Sequence, residues 1–334
     1  MDSNDITWRE SKNKYSRSNI CNKDANANAR FRDMETLKYT LRAIEKNCPW
    51  YHKIYLITAG HSPLWLNAEH KKIVLVSHEE LFIDKSHLPV FNSVAIEMNL
   101  VNLKGLSEKF VYMNDDFIIW NKLETSRFFR KGKPVDFFSH NFIPRNKLFE
   151  LLKERDTWIH SINNILTLFK QKDLPIKLNK NSLYHKSYSI KEKINNYLFQ
   201  NIFKELIWLN HWHHPQPLLK QTLHDVYDAF SEEMMISSKN RFRSNSDLNQ
   251  YMYRYWQLTQ RNFHPHRYND DLIANIDSYA VLENLIHTLE TKKHINFVCF
   301  NDSTELNNEE YDKVKIKLTT YLEARFPNKA SFEY

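Results

Sequence analysis

Two apolar runs in this sequence end in acids: FVYM runs into Asn114, Asp115 and Asp116, and NFVCF runs into Asn301 and Asp302. Adjacent carboxylates at a strand end suit a hard divalent cation, Mg²⁺ or Mn²⁺, which takes oxygen ligands and bridges protein carboxylates to substrate phosphates. The plainer alternative is that they cap a turn. His211, Trp212, His213 and His214 stand just before Pro215, with Pro217 near the first turn of an expected helix. An imidazole held there is suited to general-base work near neutral pH, the alternative being a hydrated histidine-rich loop. Arg241 and Arg243 precede Asp247 in RFRSNSD, and Arg30 and Arg32 precede Asp33 in RFRD. Guanidinium groups beside a carboxylate can grip phosphate bidentately, or form ordinary surface ion pairs.

Strands must carry the acids to one edge. Runs rich in β-branched and aromatic residues at 53–58, 73–78, 110–115 and 295–302 read as buried strands. Leu37, Leu41 and Ile44 fall at helical spacing behind Asp33 as the expected N-cap, and Pro49 bars continuation past Cys48. Strands alternating with helices predict an α/β fold, a Rossmann-like and mostly parallel sheet flanked by helices. From about residue 146 to 290 the pattern turns helical with no convincing strand, through Leu219, Leu223, Val226 and Phe230, then Leu248, Met252, Tyr255 and Leu258. The expected organisation is an α/β core over 1–145, a helical insertion over 146–290 bearing the His and Arg motifs, and a strand and helix over 291–334 that rejoin the core. That last helix carries Tyr311, Val314, Leu318 and Leu322 at helical spacing.

The 334 residues contain only three glycines, Gly60, Gly105 and Gly132, none near another. Neither a P-loop nor a dinucleotide fingerprint can be assembled from them, so phosphate must be handled by charged side chains or a metal. An excess of 47 Lys and Arg over 40 Asp and Glu, +7, suits anionic substrates or an anionic membrane surface. Charges of both signs are interspersed, without the dense basic stripe that nucleic acid asks for. Cys21, Cys48 and Cys299 lack CxxC spacing and read as reduced thiols, and the polar N-terminus MDSNDITWRESKNKY has no secretory apolar run, so a cytoplasmic protein is expected. A mean hydropathy of -0.64 and the lack of a long apolar run argue against a membrane span. No amphipathic anchor stands out.

The stretches RFRDMETLKYTLRAIEKNCPW (Arg30–Trp50), KIYLITAGHSPLWLN (Lys53–Asn67), HLPVFNSVAIE (His87–Glu97) and GLSEKFVYMNDDF (Gly105–Phe117) together resemble the second conserved region of the Stealth family. That family comprises bacterial capsule and surface-polysaccharide hexose-1-phosphate transferases, with the animal N-acetylglucosamine-1-phosphotransferase that builds the mannose 6-phosphate tag. HHPQPLLK with RFRSNSD (His213–Asp247) is similar to the third region, and NFVCFND with FPNKASFE (Asn296–Glu333) to the fourth. At the first region the chain departs from the pattern: in MDSND, Asp2 and Asp5 match, without the strand and Trp that members carry there.

The resemblance implies transfer of sugar 1-phosphate from a UDP-sugar, UDP-hexose or UDP-N-acetylhexosamine, to a hydroxyl of an acceptor sugar. A phosphodiester forms in a surface polysaccharide and UMP is released. It implies Mg²⁺ or Mn²⁺ at Asp115 and Asp116, His213 as base or phosphate contact with His214 behind it, and Arg243 clamping phosphates with Asp247 orienting it. Asp2, Arg30 and Asp33 would lie near the nucleotide, while Asn92, Glu97, Asn301 and Asp302 would line the sugar sites. In the animal enzyme a His stands where this chain has Gln216. The implied acceptor is a lipid-linked oligosaccharide or polysaccharide, met by peripheral contact with the inner membrane face. An ordinary UDP-sugar glycosyltransferase, and a member without its first strand that only binds glycan or nucleotide, are the alternatives.

Overall fold

The computed structural model describes residues 6–16, 32–141, 157–173, 177–204, 206, 208–211, 214–303 and 306–334. In chain order the N-terminal half runs α1 (Ile6–Ser16), α2 (Thr36–Asn47), β1 (Ile54–Thr58), β2 (Ile73–Ser77), α3 (His78–Leu81), α4 (Ser93–Glu97), β3 (Lys109–Tyr112), β4 (Phe117–Ile119), β5 (Phe129–Arg130) and β6 (Lys133–Asp136). The middle holds α5 (Thr157–Gln171), α6 (Lys180–Leu183), α7 (Ile190–Leu198), β7 (Gln216–Leu219), α8 (Lys220–Ser238), α9 (Tyr251–Thr259), β8 (His264–Pro265) and β9 (Asp271–Ile276). The chain ends in α10 (Tyr279–Thr291), β10 (Phe297–Asp302) and α11 (Asn308–Arg325).

The fold is mixed α/β, but the expected large parallel sheet is not what these strands make. Among the described residues four small sheets form instead: β1 with β2, β3 with β7, β4–β10–β9, and β5–β6–β8. β1 and β2 are parallel, as are β9 and β10, whereas β3 pairs antiparallel with β7 and β4 antiparallel with β10. The division arises at residues 113–116, where the run read as one strand ends in a turn. Before the turn the chain pairs Tyr112 with Gln216, and after it Phe117 with Cys299. β7, β8 and β9 also lie in the stretch read as helical. β7 and β8 are four and two residues long, too short for periodicity to reveal, and pair with strands far earlier in the chain, whereas the six-residue β9 pairs with the nearby β10.

One apolar cluster packs α5, α8 and α9 through Ile162, Phe169, Val226, Phe230, Met252 and Tyr255, with Ala95 and Met98 at the end of α4. A second joins α2 to β10, α10 and α11 through Tyr39, Ala43, Val298, Leu282 and Leu318. The C-terminal elements therefore close over the first helix of the site region. Arg42 locks this contact: Nε and Nη2 donate to the two oxygens of Glu333 at 2.7 and 2.8 Å, and Nη1 to Phe326 O at 2.8 Å. The side chains of Arg42 and Glu333 are 3% and 2% exposed. Arg42→Ala would strand a buried carboxylate and should lower unfolding free energy by about 3–5 kcal/mol in urea titration. A loss below about 1 kcal/mol would mean the pair is a surface pair in effect.

Candidate active site

α2 sets the acidic turn in place. Thr40 Oγ1 lies 3.0 Å from Asp115 O and 2.9 Å from Phe117 O, sharing its proton between them, and Asn47 Nδ2 donates to Ile119 O at 2.6 Å. The inward periodicity of α2 thus grips both sides of the turn. Asp115 is exposed on it, while Asp116 turns inward, where the Cys299 thiol on β10 donates to its Oδ2 at 3.3 Å. Burial, with Asp115 beside it, pushes the Asp116 carboxyl up to about 6. Its Oδ1 is buried and finds no partner beyond its own backbone among the described residues. Asp33 is close enough for the charge on Asp115 to raise it further, on top of burial, against the Glu35 N–H that donates to its Oδ1 at 2.7 Å. Asp33 is therefore not the N-cap of α2. That position falls to Glu35, in the left-handed region at φ 59°, with no side-chain cap.

A second group forms where the loop before α4 meets the loop after α8. Asn92 caps α4, its Oδ1 accepting from Val94 N at 3.2 Å, and its Nδ2 lies 3.1 Å from Asp247 Oδ2. Asp247 also accepts from Ser244 N at 3.0 Å and Asn240 Nδ2 at 2.8 Å. Arg243 Nη2 donates to Ser93 Oγ at 2.9 Å. Glu97 is buried and accepts from the Tyr112 hydroxyl and from Gln250 N, both at 2.9 Å. Burial raises both Glu97 and Asp247, and in each case the Arg243 charge pulls the other way. Asn92, Glu97, Arg243 and Asp247 are thus one cluster assembled from segments about 150 residues apart. Tyr112 links it to the acidic turn, for its hydroxyl is bound to Glu97 and lies within reach of the Asp116 charge.

His214 faces that turn, sharing a crevice with Met113, Asn114 and Phe117. His214 is buried and stacks on Phe297, with ring centroids 5.6 Å apart. Its Nδ1 contacts Pro215 O and must donate to it, so in the neutral ring Nε2 carries the lone pair. Burial and the Arg127 charge hold the ring well below the usual histidine range. His214, Gln216, Asn114 and Gln250 line a crevice of about 10 Å³, space for a single water. Gln216 Oε1 is buried without a partner among the described residues. Gln216 and Pro217 lie on β7 and the helix begins only at Lys220, so Pro217 is in a strand rather than a first helical turn.

Other expected residues stand apart. Asp302 is held by Arg32, Nε and Nη2 reaching its two oxygens at 2.8 and 2.7 Å, and Asn301 Nδ2 donates to Asn275 Oδ1 at 2.7 Å. Arg32 therefore pairs with Asp302, not with its neighbour Asp33. Asp2, Arg30 and His213 lie outside the described residues. Among the described residues no three His, Cys, Asp or Glu side chains converge as a metal cage. Asp115 and the vacant oxygen of Asp116 instead fit the one or two carboxylates that anchor Mg²⁺ when water and substrate phosphates complete its shell.

One site had no expectation attached to it. A cleft of about 520 Å³ is lined by Asn141, Ser187, Tyr188, Asn195, Asn210 and Arg267, among others. Its size is that of a small-molecule pocket, and its wall is amides and hydroxyls together with the charged Lys191, Glu192 and Arg267. It lies near the histidine segment, since Asn210 O accepts from Arg254 at 3.0 Å and the charges of Arg254 and Arg267 both reach His214. The Asn pair at 195 and 196 was the one signal for it, and short polar runs are usually solvated.

Residues 30–136 match the family model described as Stealth protein CR2, conserved region 2, and residues 212–257 match Stealth protein CR3, conserved region 3. The acidic turn, Asn92 and Glu97 fall in the first match, and Arg243 and Asp247 in the second. The chain is 34% identical to a capsular polysaccharide phosphotransferase WcwK of Streptococcus pneumoniae, over 100% of this chain and 96% of that protein. It is 31% identical to a receptor polysaccharide phosphotransferase WefC of Streptococcus gordonii, again over 100% and 96%. With an exopolysaccharide phosphotransferase cps2G of Lactiplantibacillus plantarum the identity is 27%, over 100% and 94%.

Proposed function

The chain belongs to the Stealth family, and from that membership we propose that it is a phosphotransferase of surface-polysaccharide synthesis that moves sugar 1-phosphate from a UDP-sugar to an acceptor-sugar hydroxyl. The observation that carries this reading is the 34% identity across the whole chain to a capsular polysaccharide phosphotransferase. The buried carboxylates and Arg243, brought together without any glycine loop, support it chemically.

In the proposed step the acceptor oxygen attacks the β-phosphorus of the donor. The bond between that phosphorus and the oxygen bridging to the α-phosphate breaks, UMP leaves, and the sugar stays on its phosphate as one arm of the new diester. His213 takes the hydroxyl proton, with His214, whose neutral ring carries its lone pair on Nε2, as the alternative. Arg243 holds the diphosphate and Asp247 keeps its loop in position through Ser244 N and Asn240. Asp115 and Asp116 would hold Mg²⁺ or Mn²⁺, which when bound neutralises charge on the diphosphate. By the family resemblance Asp2, Arg30 and Asp33 are assigned to the nucleotide, and Asn92 and Glu97 to the donated sugar. The resemblance assigns Asn301 and Asp302 to a sugar site as well, but they lie apart from Asn92 and Glu97, held by Asn275 and Arg32. The 520 Å³ cleft receives the acceptor saccharide.

No described helix is long and apolar enough to cross a membrane. The proposed workplace is the cytoplasm, in peripheral contact with the membrane that carries a lipid-linked acceptor. Incubation with a panel of UDP-sugars, an extract of lipid-linked saccharides and Mg²⁺ or Mn²⁺ should release UMP only when acceptor and metal are both present. UDP as the product would instead establish plain glycosyl transfer. No nucleotide release from any donor would leave a binding protein.

A further inference from the structure

α7 is built inside out. Its inward face is polar: Asn196 Nδ2 donates to Phe138 O and Leu183 O, both at 2.8 Å, and its Oδ1 accepts from His140 N at 2.9 Å, while Asn195 Nδ2 donates to His140 O at 3.2 Å. Its outward face is apolar. Ile190, Ile194 and Tyr197 fall at i, i+4 and i+7 and are 77%, 53% and 57% exposed. Ile202 and Phe203 extend the exposed stripe past the helix end. Water favours the opposite arrangement, so a stripe of this kind marks a surface that something apolar covers.

The surrounding charge selects the occupant. Between residues 177 and 205 there are six lysines, Lys177, Lys180, Lys186, Lys191, Lys193 and Lys204, against two acids, Glu192 and Glu205. Glu192 is turned inward, 3.5 Å from Arg267 Nε. A second copy of this chain seated on the stripe would bring lysine against lysine. An anionic bilayer satisfies both halves of the face, taking the isoleucines and aromatics at the headgroup boundary and the lysines among its phosphates. We infer that the α7 face, Ile190, Ile194, Tyr197, Ile202 and Phe203 with their lysine rim, is a docking surface for an anionic lipid membrane. Ser187, Ser189 and Asn195 on the same segment line the 520 Å³ cleft, so docking sets the mouth of that cleft at the depth where a lipid-linked saccharide begins. The inference rests on the proposed lipid-linked acceptor for its purpose, not for the binding itself.

Full-length protein should sediment with vesicles of equal phosphatidylglycerol and phosphatidylcholine, and at least about tenfold less with pure phosphatidylcholine or in about 1 M salt, where screening acts over ~3 Å. Ile194→Ser with Ile202→Ser, and separately Lys186→Glu with Lys204→Glu, should each weaken sedimentation at least about tenfold. Both pairs are solvent-facing, and unchanged circular dichroism and thermal midpoint would certify the fold. Nucleotide release with a water-soluble acceptor should be unchanged in both. Wild-type protein that ignores anionic vesicles, or double variants that bind as wild type does, would overturn the docking surface and leave the stripe to a protein partner or another stretch of this chain. Failure of the transfer reading would show only in the nucleotide assay, leaving the vesicle result intact.

Discussion

Asp116→Asn should reduce UMP release by roughly 10²–10⁴-fold while making the folded protein more stable at neutral pH. The two effects have one cause. In the folded chain burial and Asp115 raise the carboxyl from 3.8 to about 6. Between those values the folded protein still holds a proton that the unfolded chain has released, so stability falls as pH rises through the window and stays lower above it. Two units correspond to about 3 kcal/mol at full strength, an upper figure for a group that relaxes on ionising. Asparagine cannot ionise and escapes the penalty. Urea titration with chelator present should find the variant more stable at pH 7.5, with the difference shrinking as pH falls through the window and gone once pH is below 3.8. A buried charge that the fold tolerates at a loss is expected where substrate or cation supplies the compensation. Equal stability at pH 7.5, or turnover close to wild type, would remove Asp116 from the site.

Arg243→Met should lower kcat/KM for the donor by roughly 10²–10³-fold, the usual penalty for removing a group that stabilises developing charge on a transferring phosphoryl. It should also destabilise the fold by about 2–3 kcal/mol at neutral pH, because Glu97 and Asp247 lose the cation that opposes their burial. The diagnostic is the double variant. Glu97→Gln keeps the size of the side chain but removes the charge, its amide oxygen accepting from Gln250 N while its NH2 donates to the Tyr112 oxygen, which now accepts. Added to Arg243→Met it should restore about 1–2 kcal/mol of stability and no activity. Strict additivity would show that Arg243 and Glu97 do not sense each other, and activity regained in the double variant would show that Arg243 serves the fold rather than the donor.

Much of the scaffold was legible because its signals are local. β1, β2 and β10 are short β-branched runs, and α8, α9 and α11 keep one apolar face, which periodicity reports directly. The N-cap of α2 was missed because Asp33 spends its carboxylate on a turn one step earlier, through Glu35 N. The RFRD motif leaves the partner of Arg32 open, and Asp302, which it holds, is 270 positions away. The polar cleft and the stripe beside it were invisible for a related reason. Ile190, Ile194 and Tyr197 have the spacing of an ordinary buried face, and nothing local says that this face is the one turned outward.

The sequence by itself determined that phosphate would be handled by carboxylates and guanidinium groups, since three scattered glycines permit no phosphate loop. It also carried the family membership, which resides in continuous segments such as Arg30–Trp50 and Gly105–Phe117. Only the tertiary structure decided which of these groups meet. It placed Arg243 and Asp247 against Asn92 and Glu97, turned Asp116 inward beside Cys299 while leaving Asp115 in water, and divided one expected sheet into four. Spacing along a chain records which side chains share a face. Which faces become neighbours, and which are left to solvent or to a membrane, is settled by long-range packing, where many weak contacts are satisfied at once and no short segment holds the answer.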